Sequence, residues 1–163
     1  MGDLFLNKID EEKEYRQMLV KLIFPLLALI GGMALATQGQ INGGLGKKVG
    51  VIEGSFISFS IGTLVLLFIL LFFGNGNISN VSQVPKWQLI GGLLGAFYVV
   101  VQVIVVPKIG VSASLMAVIV GQIILGAVID HYGFFGGQRF PIDKQKLIAI
   151  VLLLFSLYLY MKK

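Results

Sequence analysis

The chain has 163 residues, of which 56% are hydrophobic, and its mean hydropathy is +0.90. This composition is typical of membrane proteins and leaves little room for a soluble catalytic domain, so we do not expect an enzyme. The lack of cysteine excludes thiolate chemistry and the single histidine rules out the usual zinc clusters, so no metal and no cofactor are expected. The net charge of +5 comes from basic residues at predicted helix ends, where membrane anchoring explains them without a nucleic-acid partner.

Residues 1–17 form a polar tail that contains five of the eight acidic residues. Its sizeable apolar side chains form one small cluster, Phe5, Leu6 and Ile9. We expect this tail to be solvated and loosely ordered, with a short interfacial helix as the alternative. Residues 18–163 are predicted to form one membrane domain.

Five apolar stretches follow the tail. A helix rises about 1.5 Å per residue and the hydrocarbon core of a bilayer is about 30 Å thick, so roughly 20 apolar residues span it. Four stretches are near this length, and lysines flanking the short fifth stretch can reach the interfaces. The predicted spans are residues 19–36, 54–73, 87–106, 109–129 and 147–161. The sequence therefore predicts an all-α integral membrane protein with five transmembrane helices in the lipid bilayer.

Helix-breaking residues separate the predicted spans. Asn42-Gly43-Gly44 and Gly46 predict a loop after the first span, and residues 107–110 predict a tight turn between the third and fourth. Short connections make neighbouring helices antiparallel, so five spans place the two termini on opposite sides. From Lys21 onward each side then has five Lys or Arg residues. The positive-inside rule orients such a chain only weakly, so either a partner fixes its direction or it inserts both ways.

Small residues recur at helical spacing along four of the predicted helices. Lipid tails are as apolar as leucine, so membrane helices associate largely through close packing of small residues. We expect these positions to serve helix packing. They are Gly32, Ser58, Gly62, Gly91, Gly95 and Gly121.

Several polar side chains lie within or beside the predicted spans, where an unpaired polar group is costly. Gln102 shares a helix face with Tyr98 and two glycines, and Gln122 lies near mid-depth of the fourth span. The predicted substrate-binding residues are Gln40, Asn42, Tyr98, Gln102 and Gln122. Amides both donate and accept hydrogen bonds, which suits an uncharged or zwitterionic solute. The alternative for Gln40 and Asn42 is a helix end that emerges among lipid headgroups.

Two acidic residues have open roles. Glu53 is either a site for a coupling proton or cation, or an interfacial residue stabilised by the N-terminal dipole of its helix. Asp130 precedes His131 at the end of the fourth helix, but no nucleophile accompanies this pair. We favour a helix-end role for the pair, in gating or packing at the interface.

Six short motifs follow one another between residue 24 and the C-terminus. They are Gln40-x-Asn42-x-x-Leu45, Ser58-Phe59-x-x-Gly62, Gly91-Gly92-Leu93-Leu94-Gly95-Ala96, Pro107-Lys108-Ile109-Gly110, Gly121-Gln122 and Ile129-Asp130-His131-x-Gly133. In this order the motifs resemble the small YdcZ-like branch of the drug/metabolite transporter superfamily. The resemblance implies a five-helix protein of the bacterial inner membrane, similar to half of a ten-helix transporter.

The resemblance also implies a partner subunit. The related four-helix multidrug exporters work as antiparallel dimers, so a second copy or a close paralogue is expected to pair with this chain. Those exporters carry a central glutamate in the first helix, whereas residues 19–36 contain no acid. This difference argues against proton-coupled export of cationic drugs.

Together these patterns predict a transporter subunit that moves a small polar metabolite by alternating access as a dimer. Two alternative functions are consistent with the same apolar segments. A non-transporting scaffold would use the small-residue stripes only to bind other helices, and a small channel would conduct ions.

Overall fold

The computed structural model describes the backbone of residues 2–162 and the side chains of residues 18–162. This part of the chain contains five long helices and short 3₁₀ turns, with no strand. The helices are α1 (Gly2–Val49), α2 (Val51–Phe73), α3 (Ile90–Ile109), α4 (Val111–Tyr132) and α5 (Lys144–Met161). All five are long and apolar enough to cross a membrane. The predicted all-α, five-span fold class is therefore confirmed.

The chain divides into two compact units, residues 1–38 and residues 39–163. The first unit is helical from Gly2 onward, with Pro25 inside the helix. Residues 2–17 of the acidic tail thus belong to α1 by their backbone. From residue 18 on, nearly all side chains of this unit are exposed, as suits a helix whose apolar surface faces lipid or another protein.

The second unit begins inside α1, at Gly39. The loop expected at residues 42–46 is helical, because α1 continues to Val49. Glycine in a helix interior costs about 1 kcal/mol relative to alanine, so packing must compensate. Gly39, Asn42, Gly43 and Gly46 are all buried, and their spacing places them on one face of the helix. These glycines therefore mark a close helix contact and not a loop.

Single glycines make two of the helix connections. Gly50 joins α1 to α2 with a φ of 107°, and Gly110 joins α3 to α4 with a φ of 85°. Side chains with a Cβ rarely adopt such backbone angles, so glycine is the residue that fits both turns. The end of the unit at which these two connections lie is called the glycine-turn end below.

Longer connections lie at the other end of the same helices. Residues 74–89 contain two 3₁₀ turns between α2 and α3, and residues 133–143 join α4 to α5. Asp143 caps α5, since its Oδ1 accepts a hydrogen bond of 2.7 Å from the Lys146 N–H. Gly133 ends α4 in the left-handed conformation that commonly terminates helices.

The buried core of the second unit lies mainly along α3 and the first half of α4. Its buried hydrophobic residues are Val99, Val103, Val106, Ala113 and Val120. In α2 every residue after Ser60 is exposed, and most of α5 is exposed too. Such large apolar surfaces indicate contact with lipid or with another subunit.

Candidate functional site

A buried amide on α3 lies at the centre of the candidate site. Gln102 is only 3% exposed, and its Oε1 accepts a hydrogen bond of 2.9 Å from the Ser114 hydroxyl of α4. The Gln102 Nε2 is also buried but has no hydrogen-bond partner among the described residues. A buried polar group without a partner typically costs about 1–3 kcal/mol, so this free donor requires an explanation.

The α1 helix passes directly over this amide. A Cβ placed on Gly39 would lie 3.8 Å from the Gln102 Oε1 and 3.6 Å from the Val106 side chain. One turn further along, a Cβ on Gly43 would lie 3.2 Å from the Pro107 ring. A larger side chain at these positions would push α1 away from α3. The glycines therefore let the α1 backbone approach Gln102 closely.

Each of the four helices at the glycine-turn end contributes one buried polar residue. They are Asn42 on α1, Ser55 on α2, Gln102 on α3 and Ser114 on α4. Ser55 is satisfied within its own helix, because its hydroxyl donates to the Val51 carbonyl at 2.8 Å. The sequence predicted Asn42 and Gln102 as site residues but missed the two serines. Both serines lie in stripes of small residues, where helix packing is also a sufficient explanation for them.

A small cavity of about 260 Å³ opens between α1 and the end of α3. Gln40 and Lys47 of α1 line it together with Pro107 and Gly110. Proline has no N–H, so the carbonyl of Val103, four residues earlier, has no helical donor there. The cavity thus combines the side-chain amide of Gln40 with the ammonium group of Lys47. Gln40 itself is exposed, unlike Asn42.

The other two predicted binding residues lie further from the glycine-turn end. Tyr98 is half-buried one turn before Gln102 on α3. Gln122 is exposed on α4, eight residues beyond Ser114, which corresponds to about 12 Å along the helix. A single copy of the chain therefore does not enclose Gln122 together with Gln102.

The two acidic residues with open roles lie at opposite ends of the second unit. Glu53 is exposed in the first turn of α2, and its carboxylate lies beside Gly50. Asp130 is exposed near the end of α4, where it lines a second cavity with Lys146 of α5. Neither carboxylate lies beside Gln102. Among the described residues, no group of His, Asp and Glu side chains is arranged to bind a metal.

The predicted packing residues differ in their surroundings. A Cβ placed on Gly95 would lie 3.5 Å from the Phe59 ring of α2, and Ser58 of α2 is half-buried. Gly32 is exposed in the first unit. At the remaining predicted packing positions a Cβ would meet no described atom within 4 Å. They are Gly62, Gly91 and Gly121. Their small size therefore serves no contact within the described part of one chain.

The family described as "putative inner membrane exporter, YdcZ" matches residues 23–159. The chain belongs to this family. The match begins in α1 and ends in α5, so it covers every candidate site residue and leaves out the acidic tail. No curated protein and no solved structure matches the chain.

Membership in the YdcZ family confirms the resemblance that the six motifs indicated. The protein is a multi-pass protein of the inner membrane and belongs to a family of exporters. An exporter family indicates a transporter rather than an enzyme. The buried polar residues at the glycine-turn end, Asn42, Ser55, Gln102 and Ser114, are hydrogen-bonding groups inside the protein.

Proposed function

We propose that this YdcZ-family chain is one subunit of an exporter that binds a small polar solute at Gln102. The observation that carries the proposal is the free Nε2 of this buried amide. The Ser114 hydroxyl fixes the amide through its Oε1 and leaves two N–H donors without a partner. A solute with a carbonyl, hydroxyl or carboxylate oxygen would accept these hydrogen bonds and remove the cost of the unpaired donor.

The cavity beside Pro107 supplies the entry to this site in our proposal. It lies on the same α1 face as Gly39 and Gly43, which cover Gln102 and the end of α3. Gln40 and Lys47 would meet the solute first, and Asn42 and Tyr98 would contact it near Gln102. A lysine at the entrance favours solutes with a negative or strongly polar oxygen. A zwitterionic or uncharged polar metabolite meets both requirements.

Alternating access predicts that Gln102 is reachable from each side of the membrane in turn. The chain has no cysteine, so a cysteine at Gln102 is unique, and a membrane-impermeant maleimide can be applied from either side. We expect slow labelling from both sides, and none at Leu66→Cys, an exposed apolar control on α2. Labelling from neither side would instead indicate a packed scaffold. Rapid labelling from both sides together with ionic currents in a planar bilayer would indicate a channel.

We also propose that two subunits pair in an antiparallel arrangement, the partner being a second copy or a paralogue. The exposed Gln122 supports this, because an amide in hydrocarbon is costly unless a partner covers it. The equal number of basic residues on both sides from Lys21 onward supports opposite insertion.

The antiparallel arrangement predicts that the C-termini of the two paired subunits lie on opposite sides of the membrane. If the chain pairs with itself, about half of the copies should expose a C-terminal cysteine to each side. If a paralogue is the partner, its C-terminus should lie on the side opposite to that of this chain. Finding every C-terminus of both partners on one side would contradict the proposal.

Glu53→Gln should leave folding and transport nearly intact. The carboxylate is exposed beside Gly50 in the first turn of α2, where it interacts with the helix dipole. Removing one such charge typically costs about 0.3–1 kcal/mol. Thermal unfolding and transport by reconstituted protein measure the two effects. Loss of transport in a well-folded Glu53→Gln protein would identify Glu53 as a coupling residue instead.

A further inference from the structure

A second cavity, of about 310 Å³, lies between α4 and α5 at the end of the unit opposite to the glycine turns. Its wall is formed by small and apolar residues, among them Ile123 and Gly126 of α4 and Ala149 of α5. Asp130 and Lys146 line the same cavity, so it contains one carboxylate and one ammonium group. The candidate transport site uses neither charge.

Hydrogen bonds hold the polar rim of this cavity in place. The Phe140 N–H donates to the Asp130 carbonyl at 2.8 Å, and the Ile142 N–H donates to the His131 Nδ1 at 3.1 Å. These bonds attach the connection of residues 133–143 to the end of α4. The Lys146 Nζ donates to the Pro141 carbonyl at 3.1 Å. An ammonium group has three donors, so two remain available to a ligand.

The two charges and the apolar wall lie at different depths. Asp130 is two residues from the end of α4, and Lys146 is the third residue of α5. Both are therefore at the level where transmembrane helices leave the hydrocarbon. Ile123 precedes Asp130 by seven residues, about 10 Å deeper along the helix. The cavity thus has a charged end at headgroup depth and an apolar end among the acyl chains.

We propose that this cleft binds a zwitterionic phospholipid that carries a primary ammonium group, such as phosphatidylethanolamine. The Lys146 ammonium would bind the phosphate, and the Asp130 carboxylate would accept hydrogen bonds from the lipid ammonium. The first part of an acyl chain would lie along Gly126 and Ala149, whose small side chains leave the cleft open. Each charge of the protein thus meets an opposite charge of the headgroup. An anionic lipid without an ammonium group would leave the Asp130 carboxylate without such a partner.

A phospholipid fits the cleft better than a free solute of the same chemistry. The apolar wall below the charges matches an acyl chain, whereas soluble phosphoethanolamine has nothing to place there. The volume is at the lower end of the range for ligand clefts, about 300–1,000 Å³, so it suits a headgroup and the start of a chain. The bound lipid would tie α5 to α4 at this end of the protein.

Thermal shift of the delipidated protein in detergent tests the proposal with short-chain lipids. We expect phosphatidylethanolamine to bind at least about tenfold more tightly than phosphatidylglycerol, with phosphatidylcholine between them, because its trimethylammonium donates no hydrogen bond. Asp130→Asn should abolish the preference for phosphatidylethanolamine over phosphatidylcholine. Lys146→Gln should weaken the binding of both lipids, because both carry the phosphate. Lys144→Gln is the matched control, because Lys144 precedes Lys146 by two residues and does not line the cavity. This variant should bind the lipids like the unmodified protein.

Three outcomes would overturn the lipid site. The first is equal binding of the three lipids, and the second is lipid binding by the Asp130 and Lys146 variants that matches that of Lys144→Gln. The third is competition by soluble phosphoethanolamine at the concentration at which the lipid binds, which would make the occupant a free solute. Unfolding temperatures measured without lipid separate loss of binding from loss of fold. If either variant fails to fold, retention of each lipid on the unmodified protein in native mass spectrometry still distinguishes the lipid site from nonspecific binding.

Discussion

Gly46→Ala should destabilise the protein by a net of about 1 kcal/mol, although alanine is the better helix former. A Cβ on Gly46 would collide with the Val103 side chain of α3. Valine is restricted to essentially one rotamer in a helix, so it cannot move aside without shifting the backbone. Overpacking of this kind typically costs about 1–3 kcal/mol, more than the roughly 1 kcal/mol of helix propensity that alanine gains.

A double-mutant cycle with Val103→Ala tests this contact. The second change removes the colliding methyl group, so the pair should show a coupling energy of about 0.5–3 kcal/mol. Gly44→Ala is the control, because a Cβ there meets no described atom within 4 Å, and it should stabilise by up to about 1 kcal/mol. Equal effects of Gly46→Ala and Gly44→Ala, or strict additivity with Val103→Ala, would contradict the close approach of α1 to α3. Unfolding of the purified protein in mixed micelles provides the free energies.

The fold class was predictable because bilayer thickness sets the length of every span. Hydropathy alone therefore located all five helices, and the ends of α2 to α5 were predicted to within a few residues. The end of α1 was not predictable in this way. Asn42-Gly43-Gly44 has the composition of a loop, but in the structure these residues are helical and pack against α3. Tertiary packing outweighed local propensity there, and a single sequence contains no direct signal of that packing.

The candidate site was predictable in part. The cost of burying an amide correctly singled out Gln102 as facing the protein, and its burial with a free Nε2 agrees with that argument. The same argument also singled out Gln122, which is exposed in one chain. The cost of burying an amide does not distinguish a side chain that faces a cavity of its own chain from one that faces a subunit interface. Ser114 was missed as the partner of Gln102, since the rotation of α4 against α3 decides which serine faces the amide.

Gln102→Leu should abolish solute binding while leaving the protein folded. Interhelical hydrogen bonds in membranes average only about 0.6 kcal/mol, so the loss of the bond to Ser114 costs little. The freed Ser114 hydroxyl can turn to a carbonyl of its own helix. A site built to hydrogen-bond a solute, in contrast, discriminates strongly when one partner is removed. We therefore expect no detectable ligand binding, with an unfolding temperature close to that of the unmodified protein.

The measurement begins with a screen of amino acids and other small polar metabolites for a ligand that raises the unfolding temperature of the unmodified protein. The affinity of that ligand is then compared across variants. Ser114→Ala should weaken binding less than Gln102→Leu, because the Nε2 donor remains. Gln122→Leu should also abolish ligand binding, but only if the partner subunit brings this residue to the site. Gln88→Leu, outside the buried cluster, is the control.

A structural role for Gln102 predicts a different pattern. If its bond to Ser114 mainly held α3 to α4, then Gln102→Leu and Ser114→Ala would lower stability equally, and neither would affect ligand binding in protein that still folds. That role uses only the Oε1 and leaves the buried Nε2 without a function. Ligand binding would explain both polar atoms of this amide, because the Ser114 hydroxyl orients it through the Oε1 and a solute would accept a hydrogen bond from the Nε2. The comparison of these two variants therefore decides between a helix contact and a transport site.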